Sequence, residues 1–162
     1  MAITLDELSV ALGEAERDTL LADWHWLTGE GARPLMLTLA GDAFVQLADG
    51  SSGVYLLDCA QGLLQKVADD LPEFLQQLSH PDFVADAFRF DLVAPRIRDG
   101  ALPQAGYVLG LRVPLPLGGL LETDNLEPAP LSTHFALTGQ LHAQVAALAP
   151  GQAVTDISLA TE

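Results

Sequence analysis

The sequence predicts an α+β fold, a mainly antiparallel sheet made of a meander plus later strands and flanked by several helices. Three observations point there. Four short apolar runs follow one another between residues 35 and 68 with turn residues between them. Capping pairs and apolar stripes at helical spacing lie on both sides of these runs. Finally, 162 residues is the size of one compact domain with a single sizeable core. We therefore divide one domain into an N-terminal helical region (1–33), an α+β core (34–150) and a C-terminal tail (151–162).

Taken in order, Thr4 and Glu7 form a capping-box pattern, and Leu5, Leu8 and Leu12 recur at helical spacing until Gly13 interrupts. In "EAERDTLLADWHWL" a second helical run places Leu20, Leu21, Trp24 and Leu27 on one face, with Glu16, Asp18 and Asp23 toward water. Trp24 is then a core residue. Trp26 points elsewhere and is a candidate surface anchor. After "TGEGARP" come "LMLTLA", "AFVQLA", "GVYLL" and "LLQKVA", separated by "GD", "DGSSG" and "DCAQG", which read as an antiparallel meander.

Asp70 and Glu73 cap the next helix, "LPEFLQQL", whose Pro72 lies early enough in the first turn to be tolerated. Asp82 opens a further helix running through Phe83 and Phe88 toward Leu92. "RDGALPQAG" is loop, and "YVLGLRV" is a strand expected to join the meander. In the segment that follows, Pro114 and Pro116 remove two backbone donors, so a strand must stop or lie at an edge, while Gly118 and Gly119 permit a sharp bend. "LLETDNLEP" resumes as a short strand. Pro130 suits the first turn of the last helix, with Leu131, Phe135, Leu141, Val145 and Leu148 as its stripe and Pro150–Gly151 as its end.

With 49% hydrophobic and 18% charged residues, the chain can bury an apolar interior. Acids outnumber bases 22 to 7, a net charge of −15, and Lys66 is the only lysine. A field of that sign repels phosphate backbones and anionic lipid and speeds encounter with basic proteins, so neither direct nucleic-acid binding nor membrane binding is expected. Residues 1–100 hold 17 acids and 6 bases, against 5 and 1 in 101–162. Cys59 is the sole cysteine and has no cationic neighbour in sequence; with no basic n-region and no long apolar run, the profile is cytoplasmic.

Catalytic and cofactor chemistry find few players. The four histidines are scattered, and the two on one predicted helix, His134 and His142, are eight apart, which is not metal-ligand spacing. "PLGGL" lacks the lysine of a phosphate loop, and no serine sits in a G-x-S-x-G elbow. Asp42 and Asp58 can meet across the meander as an acid–base pair, although in a chain with 22 acids such pairings arise cheaply. We expect no enzyme, no cofactor and no metal.

The acidic clusters carry different weights. Asp69, Asp70 and Glu73 surround a helix start, where the macrodipole already favours negative charge. Glu122, Asp124 and Glu127 follow a stiffened bend and have no such reason to be there. A rigid loop with spaced carboxylates loses little entropy on docking against Arg and Lys of a partner. The candidate partner-binding residues are therefore Glu122, Asp124, Glu127, Asp69, Asp70, Glu73 and Trp26.

Two stretches carry a resemblance. "AGDAFVQLADGSSGVYLLDCAQGLLQKVADDLPEFLQQL" has a GD-led strand, a hairpin, a strand ending in "LD" and a helix with an "EF" pair. "YVLGLRVPLPLGGLLETDNLEPAPLSTHFALTGQLHAQV" has a Tyr-led strand, P-x-x-LGG, a strand ending in N-x-x-P and a helix with H…GQ-x-H. Together they resemble a family of bacterial immunity proteins linked to type VI secretion, formerly a domain of unknown function. The likeness spans about residues 36–150. Its strongest part is the series Leu117-Gly118-Gly119, Asn125, Pro128, His134, Gly139, Gln140 and His142. In that family the domain often follows a GAD-like region, for which this chain has a short helical stretch ending in "WHWL". The resemblance implies an inhibitor without catalytic residues that neutralises a toxin, in the best-known members a DNase. A basic nuclease held by charge complementarity is the expected partner; an adaptor or small-ligand-binding module on the same scaffold is the alternative.

Overall fold

The computed structural model describes residues 2–148 and Leu159, so the expected end of the last helix at Pro150–Gly151 and nearly all of the 151–162 tail lie outside the described residues. The four apolar runs form the expected meander: β2 (Arg33–Thr38), β3 (Ala43–Gln46), β4 (Val54–Asp58) and β5 (Leu63–Ala68), each antiparallel to the next. A short β1 (Ser9–Val10) adds a fifth strand at the β2 edge, pairing Ser9 with Thr38 and Val10 with Leu37. With seven α-helices among the described residues, four of them of seven residues or more, the fold is α+β.

Both faces of this sheet are covered, which explains runs such as Ala43, Phe44 and Val45 that are apolar at every position and fully buried. Strand periodicity sends Phe44 to one side and its neighbours to the other. Phe44 packs with Phe74 and Phe88, ring centroids 4.7 and 5.3 Å away, under the helices α4 (Leu71–Gln77), α5 (Pro81–Ala87) and α6 (Phe90–Arg98). Ala43 and Val45 join Leu37, Leu57, Trp24 and Phe135 beneath the N-terminal turns and α7 (Leu131–Ala146).

The N-terminal region departs from two long helices. Thr4 and Glu7 do form the capping box, but α1 (Leu5–Leu8) ends after one turn because Ser9 and Val10 are drawn into β1. The second run breaks into α2 (Glu14–Arg17), a 3₁₀ turn (Ala22–Trp24) and α3 (His25–Thr28). Its apolar residues are still buried, Trp24 completely. Continuous helix gives way because α7 crosses here at backbone range: a Cβ on Gly139 would stand 2.5 Å from the Asp23 carbonyl oxygen.

Four further expectations change. The helix opened near Asp82 is two helices, α5 and α6, broken at Arg89, which takes a left-handed backbone (φ 52°, ψ 53°). "YVLGLRV" supplies β6 (Tyr107–Leu111), but it pairs with β7 (Leu126–Pro130) in a separate two-stranded ribbon. One backbone bond, Leu109 N–H to the Leu39 carbonyl at 2.8 Å, ties that ribbon to the sheet. "LLETDNLEP" is not one strand: a 3₁₀ turn (Thr123–Asn125) precedes β7, and Pro130 ends the strand and caps α7 from outside rather than entering its first turn.

Candidate partner-binding face

The bend from Val113 to Asn125 is built to hold one shape. After β6 the chain makes a 3₁₀ turn (Leu115–Leu117), and Gly118 takes φ 96°, which a side chain disfavours. Gly119 then folds back so closely that a Cβ would stand 1.7 Å from the Val113 carbonyl oxygen. Asn125 closes the bend from inside, accepting from Val113 N–H at 3.0 Å and donating to the carbonyls of Val113 and Leu120, each at 2.9 Å. From α6, Arg96 donates to the carbonyls of Thr123 and Leu126, while Thr123 Oγ1 donates to Leu92. The Leu-Gly-Gly and Asn125 residues singled out in the sequence are thus the mechanics of a bend.

Beside it runs an open groove of about 710 Å³, bordered by Asp82, Asp86, Asp91 and Glu122, with Leu92 and Leu121 among its apolar lining. Arg89 lies at its inner side. An adjoining groove of about 410 Å³, which holds Asp58, Lys66 and Gln77, shares Asp86 and Arg89 with the first.

Arg89 also answers the question of Asp42 and Asp58. The two carboxylates do meet, but as the two partners of one guanidinium: Arg89 Nε donates to Asp42 at 3.2 Å and Nη2 donates to Asp58. Asp42 is 1% exposed and its other oxygen accepts from the Cys59 amide at 2.9 Å. Burial, then the nearby Asp58, pushes the Asp42 pKa up to about 7, against the opposing pull of Arg89 and the Cys59 amide. Burial works against the Arg89 charge, but Asp42 and Asp58 outweigh it and raise its pKa. These contacts hold Arg89 in a backbone conformation that costs about 1–2 kcal/mol for a residue with a side chain. The group ties the β2–β3 turn and the end of β4 to the α5–α6 junction; it is a clasp, not an acid–base pair.

The two histidines of α7 are structural as well. His134 is buried and lies 2.8 Å from the Gly41 carbonyl, to which its Nε2–H tautomer donates. His142 sits under the β4–β5 turn, where a Cβ on Gly62 would be 2.4 Å from its Nδ1. Burial lowers the pKa of each, keeping both neutral. Between them, Cys59 and Thr138 line a cavity of about 50 Å³, room for a water or two rather than a metabolite. Among the described residues, no cluster is placed to hold a metal ion and no helix is long and apolar enough to cross a membrane.

The sequence-derived partner residues fall into three places. Glu122 lines the acidic groove; Asp124 and Glu127 are exposed just past it, on the 3₁₀ turn and β7. Asp69, Asp70 and Glu73 sit at the start of α4, where Asp70 accepts from Glu73 N–H at 2.9 Å and Glu73 accepts from Asp69 N–H at 2.8 Å. Lys66 pairs with Asp69 at 3.1 Å. Trp26 is 42% exposed, stacks on Trp24 and donates its indole N–H to Gly139 at 3.1 Å, so it belongs to the α7 side of the molecule. Sequence reasoning missed Asp82, Asp86, Asp91 and Arg89; they come together only because the chain kinks at Arg89, and a left-handed arginine leaves no mark in a one-dimensional pattern.

No curated protein gives a significant match to the chain. Residues 68–142, from the end of β5 through most of α7, match the family model described as T6SS immunity protein Tdi1, C-terminal. That segment contains the α4–α6 helices, the Arg89 kink, the locked bend and both α7 histidines, and over it the chain is similar to this type VI secretion immunity family.

Proposed function

We propose that the chain is an immunity protein that neutralises a basic nuclease toxin by covering its cationic surface with the acidic groove and the bend beside it. The observation that carries the reading is the convergence of Asp82, Asp86, Asp91 and Glu122 on one open groove next to a bend locked by Asn125 and Gly119. A nuclease needs positive charge where it meets phosphate, so an acidic antagonist competes for that same surface. Charge complementarity mainly sets encounter rate and register, and preorganisation limits the entropy lost on docking. Glu122 is central to this contact, with Asp124 and Glu127 extending it. The Asp69–Glu73 cluster, joined to the second groove through the Lys66–Asp69 pair, adds to the field, and Trp26 offers a separate aromatic contact. The protein acts in the cytoplasm as an inhibitor by binding, without chemistry of its own.

The test is co-expression with the toxin encoded beside it, followed by binding measurements between about 50 and 500 mM salt. Rescue of growth together with an association rate that falls steeply with salt supports the reading. Unaltered killing removes the immunity assignment for that toxin; rescue with a salt-independent rate removes charge as the basis of recognition.

A further inference from the structure

Ten large hydrophobic side chains are exposed in the described residues, and four of them fall within nine positions of the bend: Val113 (40%), Leu117 (47%), Leu120 (60%) and Leu121 (38%). A mobile loop can carry such residues without consequence. This one is pinned by Asn125 at both Val113 and Leu120, and Gly119 N–H is held by the Pro114 carbonyl at 3.0 Å. The fold therefore keeps apolar side chains in water in a fixed arrangement, where burial of each is worth more to a partner than to the free chain. Leu121 extends this surface directly into the acidic groove, where Glu122, Asp86 and Asp91 stand around it.

We infer that the Val113–Leu121 bend is the anchor of the toxin interface, with Leu117 and Leu120 seated in an apolar recess on the toxin whose rim is lined by Arg and Lys. The inference rests on the immunity reading and divides the labour within it. The carboxylates govern approach, and the leucines govern how long the complex lasts. The occupant's chemistry follows from the surroundings: an apolar patch flanked by acids at Leu121 fits a recess flanked by bases, as in interfaces whose apolar centre borders a polar rim. A second copy of this chain is disfavoured, because it would bring two acidic rims together.

The experiment measures association and dissociation rates of the purified protein with a catalytically inactive form of the toxin encoded beside it. For L117S/L120S, whose side chains are exposed, we expect folding unchanged by circular dichroism, an association rate within about twofold of the parent and dissociation faster by roughly 30-fold or more. For D86N/E122Q we expect the opposite pattern, a slower and less salt-sensitive association with dissociation little changed. Dissociation of L117S/L120S within twofold of the parent overturns the anchor while leaving the immunity reading intact. Failure of the parent protein itself to bind the toxin overturns both.

Discussion

Replacing Arg89 by Met keeps the length of the side chain and removes the only cation beside Asp42 and Asp58. Asp42 is buried, so once ionised it would carry a charge in the interior with no cation beside it. Breaking a buried ion pair from one side costs about 3–5 kcal/mol, and the partial exposure of Arg89 and Asp58 places this case toward the lower end. The pH dependence is the sharper test. Asp42 has its pKa raised from an ordinary 3.8 to about 7, so the folded state holds this proton more tightly than the unfolded chain does. Stability from that proton is complete below about pH 4 and is lost as pH rises toward 7, a difference on the order of 4 kcal/mol. Arg89 lowers the Asp42 pKa, so its removal pushes the value higher and extends the loss above pH 7. Urea unfolding followed by circular dichroism should show R89M destabilised by about 1–2 kcal/mol at pH 5 and about 3 kcal/mol or more at pH 8. In R89M/D42N there is no buried charge, and most of the pH 8 loss should be recovered. Equal destabilisation at the two pH values, or no recovery in the double variant, would refute the clasp.

G119A should force the bend open, because its methyl group meets the Val113 carbonyl oxygen at 1.7 Å; about 2 kcal/mol of stability and most toxin affinity should be lost, as read by unfolding and binding titration. N125A leaves Val113 N–H and two carbonyls without partners and should cost about 2–3 kcal/mol; a loss below 0.5 kcal/mol would mean the bend holds itself. His134 is buried with a lowered pKa, so the unfolded chain takes up its proton first and stability falls as pH drops below about 6.5, the reverse of Asp42. Replacing His134 by Gln should flatten that acid limb, which unfolding between about pH 4.5 and 7 will measure. D70A removes the side-chain cap of α4 and should cost about 1 kcal/mol; its effect on toxin association separates a capping role from a partner role.

Much of the local structure was legible because it is governed by neighbours in sequence. The meander follows from apolar runs and turn residues, the α4 cap from Asp70 and Glu73, and the stop after β6 from Pro114 and Pro116 with two glycines. The family resemblance read from Leu117-Gly118-Gly119, Asn125, His134 and His142 agrees with the match over 68–142, and Gly119, Asn125, His134 and His142 each have a contact that accounts for them. Their spacing carried no indication of what they touch. Gly41 and Gly62 sit in turns far from α7 in sequence, yet the α7 histidines fill the space that their missing side chains leave.

Sequence by itself determined the α+β class, the order of the four meander strands, the burial of Trp24 and the stiffness of the proline–glycine bend, since backbone preference and apolar period act over a few residues. Only the tertiary structure decided that the ribbon of β6 and β7 stands apart from the sheet, that the N-terminal run breaks against α7, and that one arginine clasps two distant aspartates. Those outcomes depend on which backbones approach most closely and on where a buried charge finds its counter-ion, and such interactions join residues separated by 30 or more positions in the chain.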